Sequence, residues 1–427
     1  MAFFYPQIAN FIVNYLDDMK ESAFVVELKP KEIFRNFDEN AISGLNYKQL
    51  CMLDKIQVFK ELSFEETKEL VEEKIKTTTN EEAKDELLCL INELENETVD
   101  ILDEKKWFAI IKKIGEAGEL SYKIKDSNLQ DRFLSCVKQL NQKFQTFIDS
   151  KYESLFTRSG LKYPYTIDKV QDFIAANSKG TKIAFIVIDG MNYWQWTLLK
   201  HCLESQKLTV EEKPTLSWIP SITAWARQSI FGGKKPDLSI DNRSEGELFK
   251  NFWVEKHQKD SYQVSYEPIK TDKRINIPSR DITVASFVTN GLDELMHGNI
   301  MGYEQLFLNT KLWIEKSGIC NSIKDLRDAG FEVYLSTDHG NIEAELNLKV
   351  TAGQKSLMHS KSKRFIQFDT EDQAITYIEN NKNYQLGKKE KSVYFKDTNG
   401  FGTSGDKVIT HGGSHILELL IPVGVVK

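Results

Sequence analysis

The chain has 427 residues, of which 41% are hydrophobic and 28% charged, and a formal net charge of -7. That length calls for two structural units, each burying its own core, and that composition excludes a wholly disordered chain. The mild negative charge excludes a protein coated in basic residues for non-specific duplex binding, while leaving room for a local basic groove.

The opening residues, MAFFYPQIANFIVNYL, are apolar but carry no basic n-region and no small-residue cleavage site, so they do not read as a signal peptide. From about Phe64 to Phe156 the sequence is rich in Glu, Lys and Leu, with apolar residues three and four apart, as in the stripe Phe133, Val137, Leu140, Phe144 and Phe147. Such spacing lines one face of an α-helix. Polar breaks at Thr77 to Asn80 and at Lys125 to Asn128 divide the region into three or four helices, and the charge run EETKELVEEKIK reads as a solvated helix face. Gly160 and Pro164 then change the texture of the chain. The expected boundary lies there, with an all-α N-terminal domain over 1–160 and a second domain over 161–427.

The second domain contains short β-branched runs, IAFIVI, ITVASFV, FEVYLST and LLIPVGVV, separated by stretches of helical pattern. Near-continuous apolar runs of strand length belong to strands buried on both faces, which predicts an α/β domain with a mostly parallel sheet flanked by helices. The stretch from Lys349 to Val408 is polar and lysine-rich, and reads as an insertion with a small structure of its own. It presents either a basic wall to a polyanion or an ordinary solvated face. The longest apolar stretch near the C-terminus, ILELLIPVGVV, is too short to span a bilayer. The five cysteines, Cys51, Cys89, Cys136, Cys202 and Cys320, are scattered and never form a CxxC pair, so they read as reduced and structural in a soluble cytoplasmic protein.

Five of the seven histidines lie after residue 290, and three of these stand close to an aspartate or a glycine pair beside an expected strand. In an open parallel sheet, ligands bind at the carboxyl edge of the strands. IAFIVI ends in Asp189, FEVYLST ends in Asp338 and His339, ITVASFV leads into Asp293 and His297, and His411 opens HGG before the last apolar run. Each fragment has an ordinary reading: a plain turn at Asp189-Gly190, an N-cap at Asp338, an incidental pair on a helix face for Asp293 and His297, a tight turn at His411-Gly412-Gly413. Together, several strand ends carrying oxygen and imidazole ligands are what a mixed Asp/His dinuclear site needs, suited to zinc or manganese. Two such cations can hold both the attacking and the leaving oxygen of a phosphoryl transfer.

A candidate nucleophile lies in PTLSWIPSITAWARQSIFGG, where Pro220 ends an extended segment and Ser221-Ile222-Thr223 leads into a helical pattern closed by Gly232-Gly233. A hydroxyl at a helix N-terminus sits where backbone N–H groups favour an anion, although Ser221 or Thr223 would serve equally as a plain N-cap. Arg227, one turn beyond Thr223, either grips a phosphate oxygen or is a helix-surface cation.

The order IVIDGMNYWQW, IPSITAWARQSIFGG, FVTNGLDELMH, YLSTDHGNIE, ITHGGSHILELLIPV resembles the PglZ domain, a branch of the alkaline phosphatase superfamily, over roughly Lys182 to Val426. The resemblance implies Asp189 as the first aspartate ligand, Thr223 as nucleophile, Asp338 and His339 as the pair completing the first metal's shell, and Asp293, His297 and His411 as ligands of the second. It further implies a phosphodiesterase acting on an oligonucleotide or cyclic nucleotide, since PglZ proteins occur in BREX-type phage defence and as effectors of PorX-like regulators. The alternatives are a phosphomonoesterase or phosphomutase, and a defence-complex scaffold whose metal site is structural and whose helical domain docks protein partners.

One position departs from the family's habit. Where an arginine and an aromatic residue often follow the first aspartate, this chain has Asn192 and Tyr193. Arg364 resembles a family arginine near the site and is either the substitute cation or a solvated one. Tyr193, Trp194, Trp196, Trp218 and Trp225 flank the first aspartate and the nucleophile, and either stack a base, at about 1–3 kcal/mol each, or pack in the core. His359 and His415 stand as second-layer candidates.

Overall fold

The computed structural model describes residues 81–97, 103–178, 182–239, 244–270, 273–297, 302–350, 362–402 and 405–427. The chain divides into two compact units, Met1–Glu86 and Leu87–Lys427, and the elements numbered below belong to the second. The opening apolar segment, EETKELVEEKIK, the break at Thr77 to Asn80, Cys51 and His359 lie outside the described residues.

Residues 81–95 are helical, and two long helices follow, α1 (Glu104–Ile124) and α2 (Ser127–Leu155). Asp103 and Asp126 cap them, each carboxylate accepting a backbone N–H of the first turn, and between them Lys125 turns left-handed at φ 58°. The break expected at Lys125 is therefore a two-residue corner. All five members of the stripe Phe133, Val137, Leu140, Phe144 and Phe147 are buried, and Phe144 meets Trp107 of α1 edge-on at 5.2 Å. Each such side chain removed from water contributes about 1.5–3 kcal/mol, which is what holds the hairpin.

The α/β part follows, with α3 (Val170–Asn177), β1 (Lys182–Ile188), α4 (Tyr193–Ser205), β2 (Val210–Glu212), β3 (Thr215–Leu216), α5 (Thr223–Gly232), α6 (Glu245–Asn251), β4 (Val264–Ile269) and β5 (Val284–Thr289). It continues through α7 (Gly291–His297), α8 (Gly302–Ser317), α9 (Ile319–Asp328), β6 (Phe331–Ser336) and β7 (Ile342–Leu348). Then come β8 (Phe365–Gln367), α10 (Glu371–Asn380), β9 (Leu386–Lys389), β10 (Ser392–Phe395), β11 (Asn399–Phe401), β12 (Asp406–Thr410), α11 (Ile416–Leu419), β13 (Leu420–Ile421) and β14 (Val423–Val426).

A six-stranded sheet of order β2-β14-β6-β1-β5-β4 forms the core. β6, β1, β5 and β4 run parallel, and β5 is buried along its whole length, as continuous apolar runs demand. The last apolar run is the exception to a uniform parallel sheet: Pro422 separates β13 from β14, and β14 pairs antiparallel with β6. Register places the site. Ile188 is opposite Thr289, and Val187 is opposite Ser336, so β1, β5 and β6 end together and the residues that follow them emerge at one edge.

The hairpin of α1 and α2 lies against this core. A Cβ added at Gly115 of α1 would stand 2.9 Å from the Tyr193 ring of α4, so only glycine allows that approach. From α2, Gln145 donates to the Ser414 carbonyl at 2.7 Å and Asn141 accepts from Ile416 N–H at 2.9 Å, supporting the segment that follows His411. Among the later strands, β8, β10 and β9 form a small antiparallel sheet with α10 over a core of Ile366, Phe368, Tyr377, Val393, Phe395 and Phe401. β11, β7 and β12 form another sheet, and β12 ends at Thr410, directly before His411.

One expectation is corrected. Cys202 on α4 and Cys320 on α9 form a disulfide, with Cα atoms 6.5 Å apart, whereas Cys89 and Cys136 are free thiols. The pair is 118 residues apart in sequence, a separation from which no spacing argument follows. Among the described residues, no helix is long and apolar enough to cross a membrane.

Candidate active site

At the shared strand edge, β1 delivers Asp189 and then turns at Gly190, whose φ of 68° favours glycine. The Gly190 N–H donates to Asp338 Oδ1 at 3.2 Å, and the His339 N–H donates to the same oxygen at 3.1 Å. These bonds lock the turn after β1 to the turn after β6. His339 Nδ1 lies 2.9 Å from the Gly340 carbonyl. A carbonyl only accepts, so Nδ1 carries the proton and Nε2 presents a lone pair. That lone pair points at Thr223 Oγ1, 2.9 Å away, and stands 3.6 Å from both Asp189 Oδ1 and Asp338 Oδ2.

Thr223 is the first residue of α5, and the capping position before it is Ile222, which has no side-chain cap. The hydroxyl is therefore not spent on its own helix. Ser221 is buried in a different network, accepting from Gly412 N–H at 2.9 Å and lying 3.3 Å from Glu418 Oε1.

The second group is assembled from elements that share no strand. Asp293 and His297 sit one turn apart on α7, with His297 Nε2 3.2 Å from Asp293 Oδ1. His411 arrives from the end of β12, its Nδ1 donating to the Ser221 carbonyl at 2.8 Å, which again leaves Nε2 as the free lone pair. The His339 and His411 rings stack at 4.0 Å, which sets the two groups side by side.

In each group, Asp189 with Asp338 and His339 and Asp293 with His297 and His411, ligand atoms lie within 4.8 Å of one another. Asp189 Oδ1 is buried and has no hydrogen-bond partner among the described residues, a costly state for an anionic oxygen unless a cation meets it, while Asp293 Oδ1 is met by His297 Nε2 at 3.2 Å. Burial, reinforced by Asp338, pushes the Asp189 carboxyl well above its usual range. Burial also raises Asp293, but the bond from His297 outweighs it and holds the carboxyl below its usual range. Burial, then the adjacent His339, pushes His411 down to about 3. A neutral imidazole beside an ionised carboxylate is the protonation state that a divalent cation requires. The residues fit the group that the resemblance implies.

Arg227 is no helix-surface cation. It is buried, with Nη2 2.6 Å from Asp189 Oδ2 and 2.7 Å from Asn290 Oδ1, Nε 3.2 Å from Asp338 Oδ2, and Nη1 3.1 Å from Glu245 Oε1. A cation thus stands beside Asp189 from another element, but it is engaged by Asp189, Asp338, Glu245 and Asn290. Asn192 itself caps α4 and donates to the Asn341 carbonyl at 2.7 Å. Arg364 is not a solvated cation: it is wholly buried, paired with both oxygens of Glu418 at 3.0 Å and bonded to the carbonyls of Phe395, Asp397 and Asn399. The aromatic group is core, since Tyr193, Trp194, Trp196, Trp218 and Trp225 are all buried and offer no face to a base. His415 caps α11, its Nδ1 accepting the Leu417 N–H at 3.2 Å, and is not part of either group.

Three residues of this neighbourhood escaped the sequence reading. Asn290 follows β5 as Asp189 follows β1, and its strand-end position was a usable signal. Glu245 and Glu418 open or sit within short helices after irregular chain, where no local pattern marks them.

The sequence matches the family model described as the BREX system PglZ alkaline phosphatase-like domain over residues 167–426. The chain belongs to that family. Solved structures with partial similarity include phosphonoacetate hydrolase from Sinorhizobium meliloti 1021, at 12% identity and a TM-score of 0.39 over 58% of this chain and 90% of that one. Murine ectonucleotide pyrophosphatase / phosphodiesterase 5 is 11% identical with a TM-score of 0.39, over 57% of this chain and 88% of that one. No curated protein matches the sequence. Within the PglZ domain, the matched span contains every residue of both ligand groups and Thr223.

Proposed function

We propose that this PglZ domain is a two-metal phosphodiesterase in which Thr223 is the nucleophile. Asp189, Asp338, His339 and Thr223 would hold one divalent cation, zinc or manganese, and Asp293, His297 and His411 the other. The observation that carries the reading is the place of the Thr223 hydroxyl, uncapped, at the start of α5 and 2.9 Å from His339 Nε2, beside two groups of converging ligand atoms. When bound, the cations supply Lewis acidity toward the phosphoryl oxygens and the leaving oxygen.

The chain's own residues do the rest. The first-turn N–H groups of α5 favour negative charge at the phosphoryl group. Thr223 Oγ1 gives its proton to solvent and bonds to phosphorus as the P–O bond to one ester group breaks, and the departing alkoxide takes up a proton from solvent; the water that attacks next returns a proton to Thr223 Oγ1. Water then attacks phosphorus, the bond to Thr223 breaks, and a phosphomonoester leaves. A diester is favoured over a monoester because Arg227 is committed to carboxylates and Asn192 is neutral, so little fixed positive charge is left for a dianion. An oligonucleotide or cyclic nucleotide is the proposed substrate and anti-phage defence the setting, supported by the family's BREX description.

The test is turnover of a bis(nitrophenyl) phosphate and of nitrophenyl phosphate, each with zinc, manganese or chelator. Metal-dependent hydrolysis that prefers the diester is expected. Equal or greater monoester turnover would move the chain to the phosphomonoesterases, and no turnover with metal bound would favour a scaffold.

A further inference from the structure

We propose that Arg227 is the built-in counter-cation of the first ligand group, a positioning residue that holds Asp189 and Asp338 together before a divalent cation binds, and not a group that grips phosphate. The inference rests on the metal-site reading above. A guanidinium has five N–H donors. One goes to Asp338 Oδ2, one to Glu245 Oε1 and one to Asn290 Oδ1, at 3.2, 3.1 and 2.7 Å, and Nη2 also forms an ion pair with Asp189 Oδ2 at 2.6 Å. Every nitrogen of the guanidinium is therefore already engaged by a protein oxygen, which leaves no open edge of the fork for a bidentate grip on a phosphate.

The choice of oxygens separates the two roles further. Arg227 takes Asp189 Oδ2, while Oδ1, the oxygen nearer His339, has no hydrogen-bond partner among the described residues. The guanidinium and a divalent cation would therefore share this carboxylate. Its aim is fixed from behind, because Glu245 is bonded by the Tyr266 hydroxyl and Asn290 leaves the end of β5. Asp189 and Asp338 are buried carboxyls whose negative charges repel each other when both are ionised. A fixed cation between them offsets that repulsion in the metal-free protein, and repels the incoming metal once it binds. Removing it must cost the metal-free state more than the metal-loaded one.

The experiment measures Tm in EDTA and in saturating Mn2+ for the wild type, Arg227→Met and Glu245→Gln, with Mn2+ titrated calorimetrically and inorganic phosphate binding measured on the loaded proteins. Arg227→Met is expected to widen the gap between the two Tm values and to bind Mn2+ at one site about tenfold or more tightly. Glu245→Gln leaves more of the guanidinium charge for Asp189 and Asp338 and is expected to narrow the gap by a smaller amount. A gap equal to the wild type's, with phosphate binding weakened, would show a phosphate-gripping arginine and overturn the proposal. If Arg227→Met folds only with Mn2+, the proposal stands in its strongest form; if it folds in neither condition, Glu245→Gln decides, and an unchanged gap there overturns it. A wild type that does not respond to Mn2+ defeats the metal-site reading separately. The role of Arg227 is then judged in EDTA alone, where a fall in Tm for Arg227→Met that Arg227→Lys restores supports it and no fall overturns it.

Discussion

The two ligand groups of this PglZ domain differ in how they are built. The first hangs from the ends of two adjacent parallel strands, its three residues are buried, and backbone N–H groups of Gly190 and His339 fix the Asp338 carboxylate. The second draws two residues from the seven-residue helix α7 and a third from the edge of a different sheet, and its Asp293 and His297 side chains keep 16% and 20% of their exposure. Sheet register therefore makes the first group rigid, whereas the second depends on how separate segments pack. The first also has a resident cation in Arg227, and the second has none bonded to its carboxylate among the described residues.

The largest effect expected from this contrast concerns Thr223, which belongs to the first group but supplies little of its metal affinity. Thr223→Ala should lower kcat on a diester by at least about a thousandfold while metal content stays near that of the wild type. Retained turnover would mean that water attacks directly. Next in size are the two histidines of the second group. His297→Ala and His411→Ala should each lose about one ion per chain by elemental analysis and keep the fold, and a mutant holding full metal and activity would break the grouping of α7 with β12.

Chelation should separate the groups in time. The partly exposed second group should release its ion first when EDTA is added, leaving a single-metal species with lower activity, and simultaneous loss would show that burial does not set the order. Ser221→Ala probes the packing that the second group needs. It leaves the buried Gly412 N–H without its acceptor, at a cost of about 1–3 kcal/mol in stability, yet should keep most of the turnover measured at saturating metal. Activity lost as completely as in Thr223→Ala would shift the nucleophile by two residues.

The smallest expected effect is a pH dependence beside the second group. Burial, then the field of Arg364, holds the His415 imidazole well below its ordinary range. In the unfolded chain the ring titrates at about 6.5, so the unfolded state binds more protons below that value. The stability in question is complete above pH 6.5 and declines as pH falls below it. Urea midpoints at pH 7.5 and 5.5 should show a loss that is smaller in His415→Gln, and an equal loss would assign the slope to other groups.

Much of the site was legible because chemistry and period coincide in the sequence. Apolar runs of strand length predict buried parallel strands, and aspartate or histidine after such a run predicts a side chain at the carboxyl edge, which is where Asp189, Asp338 and His339 stand. The same local logic placed Asp293 and His297 on one helix face. What sequence could not decide were interactions whose partners are far apart along the chain. Arg227 read as a phosphate grip or a surface cation because its four partners lie 18 to 111 residues away, and Arg364 read as a site cation because Glu418 is 54 residues distant. The Cys202–Cys320 disulfide and the burial of the tryptophans belong to the same class. Periodicity and strand ends are properties of neighbouring residues, fixed by backbone geometry, whereas the partner that satisfies a buried charge is chosen only when the sheet, the helices and the loops close around it.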